Sequence, residues 1–285
     1  MNIRKIEKIL ELKMEKKDIF NLNKRKLSKH NILPKCRLKR LSQKEINNNK
    51  NLFKKYRRSD LTLAGITETF WLPNSTLKVG FDFSGYCVPA RSKDELSEQI
   101  INLASEWSKH GSINLEIRKD HTICDIVIAF NPYIGTFSYL GTASKIPIRK
   151  GKYSMNIDPS WSGNIWNLDQ EADSVSKYYL QSTVLHEFGH ALGIEHEHQR
   201  EDRPFTWDIA WMKENLSTLG LDSWKSVVFN YINTTPMSAL TYGEYDFKSI
   251  MSYEWEKNAT IEKIKCDTNF ELSNQDKQQF GLLYP

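Results

Sequence analysis

Cysteine is scarce in this chain: four residues in 285, scattered at Cys36, Cys87, Cys124 and Cys266. So few cannot build a disulfide-dense scaffold. Long apolar runs are missing as well. None approaches the roughly 18 residues that a membrane-crossing helix needs, so an integral membrane helix is not expected. The first twenty residues alternate Lys, Glu and Ile without a continuous apolar core, so a Sec-type signal peptide is not expected either. No internal repeat is visible. Acidic residues are sparse at one end. Residues 1–58 hold 20 Lys/Arg against 5 Asp/Glu, a net of +15, whereas the remaining 227 residues hold 20 against 30, a net of −10. The basic end also lacks aromatics beyond Phe20, Phe53 and Tyr56, which gives poor support for base stacking, and no nucleic-acid partner is expected.

What is present fits a soluble globular protein with a sizeable core, at 39% hydrophobic and 26% charged. Ile3, Ile6 and Leu10 recur at helical spacing in residues 2–17, and Glu7, Glu11 and Glu15 argue against a mitochondrial transit peptide. Pro34 breaks any second helix. The run Asn47-Asn48-Asn49-Lys50-Asn51 reads as a linker and is followed by the dibasic pairs Lys54-Lys55 and Arg57-Arg58. The expected division is therefore a basic segment, residues 1–60, and a compact domain, residues 61–285. The basic segment fits a solvated tail, a tail that binds an acidic surface, or a pro-segment that folds back on the acidic body. Export by a non-Sec route and a cytoplasmic life both fit the sequence.

Within the compact part, residues 69–72 and 77–81 read as strand material around the turn signal Pro73-Asn74-Ser75. Ser92 and Glu95 form a capping-box pattern ahead of a helix whose apolar face is Leu96, Ile100, Leu103 and Trp107, with Gly111 just past its end. Residues 113–117 alternate like a half-buried strand, and residues 125–130 are continuously apolar like a central one. Residues 131–152 read as loop, and residues 153–158 as a short edge strand. A helix over 177–192 buries Val184, Phe188 and Leu192, and a last helix is capped by Ser273 and Asp276 and ends at Pro285. The order suggests a mixed α/β or α+β domain.

Four of the seven histidines fall within residues 186–198, in His186-Glu187-Phe188-Gly189-His190-Ala191-Leu192-Gly193-Ile194-Glu195-His196-Glu197-His198. His186 and His190, four apart, project from one helix face and can hold one ion. Glu187 points slightly off that face, where it can reach a water held by the ion. Gly193 can take a left-handed backbone, stop the helix and let the chain return His196 as a third ligand. Three imidazoles leave a fourth position for water, as in a catalytic rather than a closed structural zinc site. Chance assembly of this whole pattern is on the order of one in 10⁵ for such a composition. His198 reads as a neighbour of the site rather than a ligand. His30, His110 and His121 have no partner in the sequence.

This string resembles the metzincin signature. Its continuation, His196-Glu197-His198-Gln199-Arg200-Glu201-Asp202-Arg203, resembles the astacin family, with Pro204 where that family places a final Asp. Ser249-Ile250-Met251-Ser252-Tyr253 is similar to that family's Met-turn. Phe137-Ser138-Tyr139-Leu140-Gly141-Thr142 and the closing Leu283-Tyr284-Pro285 are similar to its microbial members. The resemblance covers about residues 68–285. It implies an α+β, metzincin-type, two-lobed zinc protease with a twisted, mostly parallel sheet, two long helices and an irregular C-terminal lobe. It also implies one catalytic zinc ion on His186, His190 and His196, with Glu187 and Tyr253 as the catalytic residues and Met251 as a packed base beneath the site. Glu197 would match the position that receives the amino terminus of a processed enzyme. The implied activity is a zinc endopeptidase, expected as a monomer, acting on protein or peptide substrates. The competing reading is a non-catalytic zinc-binding adhesion protein or a basic-tail binding protein.

Overall fold

The computed structural model describes residues 70–85, 90–159, 174–217, 219, 223–234 and 243–285. The chain divides into two compact units, Met1–Leu33 and Pro34–Pro285, and every described residue belongs to the second. The expectations for the basic segment and for its boundary with the compact domain lie outside the described residues.

Among the described residues five strands form one sheet: β1 (Thr76–Asp82), β2 (Asn114–Ile117), β3 (Ile126–Ala129), β4 (Phe137–Ser138) and β5 (Met155–Asn156), in the order β2-β1-β3-β5-β4. β1 pairs in parallel with β2 and β3, β3 pairs in parallel with β5, and only β4 runs antiparallel, against β5. Such a sheet must be covered on its faces, because the crossovers that connect parallel strands carry helices. Two long helices, α1 (Ala90–Ala104) and α3 (Ser174–Ala191), cover one face, and Ile148 of the short α2 (Lys145–Arg149) packs on Val127 at the other. Leu96 and Ile100 of α1, Val184 and Phe188 of α3, and Val79, Ile126 and Ile128 of the sheet share one buried core.

Four local expectations change. β1 starts at Thr76, so Phe70 and Trp71 lie outside it. They are nonetheless buried, with Trp71 Nε1 donating to Ala191 O at the end of α3 (2.8 Å). α1 begins at Ala90, ahead of Ser92, and Trp107 sits in a separate turn, Trp107–His110, where its Nε1 donates to Leu185 O at 2.9 Å. Residues 131–152 contain β4, a turn at Gly141–Ser144 and α2. The strand within 153–158 is interior, because it pairs with β3 on one side and β4 on the other, and its Asn156 side chain is buried and bonded three times. It accepts from Asn131 N (2.8 Å) and donates to Asn131 O (3.0 Å) and Gly135 O (2.8 Å). A polar residue at that place pins the preceding loop rather than marking a solvent edge.

After His196 regular structure thins out. The short helices α4 (Ile209–Glu214) and α5 (Trp224–Val227) and a wide turn, Val228–Ile232, surround a second core built on Phe205, Trp207, Met212, Tyr231, Tyr253 and Trp255. The last helix, α6 (Asn274–Leu283), returns to the first core, where Tyr284 donates its hydroxyl to Leu192 O at 2.5 Å. The α+β class, the mostly parallel sheet, the two long helices and the irregular C-terminal part are as the sequence leads one to expect. Among the described residues no helix is long and apolar enough to cross a membrane.

Candidate metal centre

α3 carries His186, Glu187 and His190 on its last two turns. It stops in a paired hydrogen-bond pattern, Ile194 N to Gly189 O (2.9 Å) and Gly193 N to His190 O (2.8 Å), which requires the left-handed Gly193, φ 96°. The chain reverses there and brings in His196. One ring nitrogen from each of His186, His190 and His196 lies within 4.8 Å of the others, and all three side chains are buried. The Nε2 atoms of His190 and His196 are 3.1 Å apart.

The other nitrogen of each ring is committed. His186 Nδ1 is 2.7 Å from Ile250 O, His190 Nδ1 is 2.8 Å from Ile194 O, and His196 Nδ1 is 3.2 Å from Gln199 Oε1. An oxygen acceptor calls for a proton on Nδ1, so each Nε2 presents a lone pair. Three convergent neutral imidazoles, each oriented through its far nitrogen, are the donor set of an open zinc site, and zinc fits it.

Glu187 lies beside His186 and is 1% exposed. Tyr253 places its ring 4.5 Å from that of His196 and 5.7 Å from that of His186. Its turn is fixed from three sides. Ile250 O holds His186, Met251 O accepts from Glu197 N (3.2 Å), and the buried Asp276 carboxylate accepts from Ser249 Oγ (2.6 Å), Ile250 N (2.8 Å) and Ser273 N (2.9 Å). Met251 is packed under α3 at Gly189, where a methyl group would overlap its sulfur and meet its Cε at 3.0 Å. Gly189 thus matters through contact, not backbone conformation: an added methyl group would force the Met251 thioether to shift.

His198 is wholly buried and bonded at both nitrogens, so it is not placed as a ligand. Tyr253 N donates to its Nδ1 (3.3 Å), which leaves Nε2–H to donate to Asn230 O (2.7 Å). Glu197 is buried too. Burial pushes its carboxyl up to about 7, against the opposing pull of the Asp246 N–H (2.9 Å) and the Arg200 guanidinium (2.9 Å). Arg200 also grips Asp202 through two nitrogens, at 2.9 and 2.7 Å. The segment that would supply an amino terminus to Glu197 lies outside the described residues.

His110 and His121 stand apart from the centre. His110 lies 3.5 Å from Glu106, and His121 sits over Gly80 beside Cys124. Cys124 and Cys266 are buried thiols outside any disulfide, and burial pushes Cys124 up to about 11; Cys36 and Cys87 lie outside the described residues. Sequence reasoning did not find Gln199 as the partner of the third histidine. The sequence offers Asp276 as a helix cap and within a stretch, Leu272-Ser273 with Asp276-Lys277, similar to the microbial astacins, but not as the acceptor that fixes the Met-turn.

Residues 174–283 match the Astacin peptidase family. The chain is 29% identical to myroilysin of solved structure, with a TM-score of 0.64, covering 77% of this chain and 97% of that one. Residues 174–283 are thus similar to the astacin peptidases, and the wider chain is similar in fold to myroilysin. Curated relatives agree. Zinc metalloproteinase nas-7 of Caenorhabditis elegans is 36% identical over 94 residues, 30% of this chain and 22% of that protein. Metalloendoproteinase 2-MMP of Arabidopsis thaliana is 28% identical over 123 residues, 38% of this chain and 31% of that protein. The chain spans less than a third of the length of these two relatives.

Proposed function

We propose that the chain is a zinc-dependent endopeptidase that hydrolyses protein or peptide substrates, with His186, His190 and His196 as the metal ligands. The observation that carries this reading is the convergence of three Nε2 lone pairs beside a buried carboxylate. Zinc in such a donor set supplies a Lewis acid that acidifies water and polarises a peptide carbonyl. Glu187 does the proton work: its carboxylate takes the proton from the attacking water and delivers it to the leaving amine nitrogen. The Tyr253 phenol donates a hydrogen bond to the oxyanion that forms as the carbonyl carbon becomes tetrahedral. Ile250 O, Ile194 O and Gln199 hold the three imidazoles in the neutral tautomer that leaves Nε2 unprotonated.

Glu187→Ala should bind zinc like the parent and hydrolyse a fluorogenic peptide about 10²-fold more slowly or worse, as loss of a general base implies. Zinc content and initial rate measured on the same preparation check it. A wild-type rate from the zinc-loaded variant would sink the proposed mechanism.

A further inference from the structure

Three successive backbone carbonyls at the end of the Val228–Ile232 turn, those of Phe229, Asn230 and Tyr231, accept from side chains: Gln199 Nε2 (2.8 Å), His198 Nε2 (2.7 Å) and Trp207 Nε1 (3.0 Å). The last carbonyls of a helical turn have no partner further along the turn, so side-chain donors that dock on them are held firmly. For Gln199 this has a chemical consequence. Phe229 O can only accept, so the nitrogen end of the Gln199 amide must face it. The oxygen end must then face His196 Nδ1, at 3.2 Å. An oxygen there can only accept, so the proton of His196 sits on Nδ1 and its Nε2 is bare. His186 and His190 are oriented by backbone carbonyls at 2.7 and 2.8 Å, whereas His196 is oriented by a side chain.

We infer that Gln199 is the positioning residue of the third metal ligand, and that the Val228–Ile232 turn sets the tautomer of His196 through it. The inference rests on the proposed metal centre and adds a residue to it. The buried amide, 1% exposed, links a carbonyl 30 residues downstream to the ring that completes the site. Outer partners of this kind typically contribute 10–100-fold in metal affinity.

The test is zinc affinity of the full chain, by competition with a chromophoric chelator, for the wild type, Gln199→Leu, Gln199→Glu and His196→Ala. Melts of the zinc-free proteins report folding separately. Gln199→Leu should bind zinc about 10–100-fold more weakly. Gln199→Glu keeps an oxygen on His196 Nδ1 and should stay within a few-fold of wild type, even if it loses stability by giving up the donor to Phe229. Histidine-selective ¹⁵N spectra of the zinc-free wild type should show the Nδ1–H tautomer at His196. Wild-type affinity in Gln199→Leu, equal weakening in both Gln199 variants, or an Nε2–H tautomer in the wild type would each overturn the inference. If Gln199→Leu does not fold, Gln199→Glu and the wild-type spectrum still decide. A wild type that binds no zinc, or a His196→Ala that binds it as well as wild type, would sink the metal-centre reading itself, and this inference with it.

Discussion

Tyr253 packs its ring 4.5 Å from both His196 and His198, while its backbone N–H donates to His198 Nδ1. Backbone and ring are therefore held by contacts that do not involve the hydroxyl, and Tyr253→Phe is a clean deletion of one donor. Ring contacts survive, so folding stability should change by less than about 1 kcal/mol. If the phenol serves the oxyanion, kcat should fall about 10²-fold with little change in KM, the pattern of an interaction made in the transition state. An unchanged kcat with a raised KM would move Tyr253 to substrate binding. Gly189 shows the opposite dependence, on absence. Its missing side chain is what lets the Met251 sulfur approach α3, and composition alone does not distinguish such a glycine from the left-handed Gly193 four residues later.

Among the elements, α6 does more than close the chain. Its capping box, Ser273 with Asp276, is shared with the Met-turn, because the same carboxylate that accepts from Ser273 N also accepts from Ser249 Oγ and Ile250 N. Asp276→Ala would strand those donors in the interior and should cost about 2–4 kcal/mol. Burial raises the Asp276 carboxyl above its ordinary value, opposed by the same three hydrogen bonds. The native chain therefore keeps this proton at a pH where the unfolded chain has released it. The contribution of the group to stability is full below the ordinary value near 3.8 and is lost as pH rises through the higher native value. Asp276→Asn can still accept both backbone N–H groups through its one oxygen and does not titrate. Urea unfolding of the zinc-free proteins from pH 3 to 7 should show wild type losing stability relative to Asp276→Asn over that window; parallel curves would contradict it. The sequence made α3, α6 and the ligand spacing legible because each repeats a period over a turn or more or carries a cap, and β3 because its run is continuously apolar. β4 was not legible because two residues display no period; a strand at β5 was, but its interior place was not, because that place comes from pairing with β3 on one side and β4 on the other. Gln199 was invisible for a similar reason: its role depends on a carbonyl 30 residues away.

Among the described residues there are two large apolar cores beside a small cluster of Cys124, Val127 and Ile148, and the metal centre joins the chain segments that build the two large ones. His186 and His190 belong to α3 in the first core, whereas His196 opens the run that leads into the second, where Tyr253 is a core member. An ion held by all three would bind only when both parts are in place, so its binding energy adds to folding stability. With free zinc at about 1,000 times its dissociation constant the gain is about 4 kcal/mol. For a domain of this size that corresponds to an upward shift in Tm on the order of 10 °C. Each further tenfold in free zinc should add about 1.4 kcal/mol until the unfolded chain begins to bind zinc as well. Thermal melts in a series of metal buffers measure this directly, beginning with protein stripped by a chelator and ending with zinc restored. In His196→Ala the zinc-free melt should fall, because a buried ring bonded to Gln199 is removed, and the dependence on zinc should be largely lost. A parent whose Tm does not move with free zinc would show that the ion does not bridge the two cores. A His196→Ala protein that keeps the full shift would place the third ligand elsewhere.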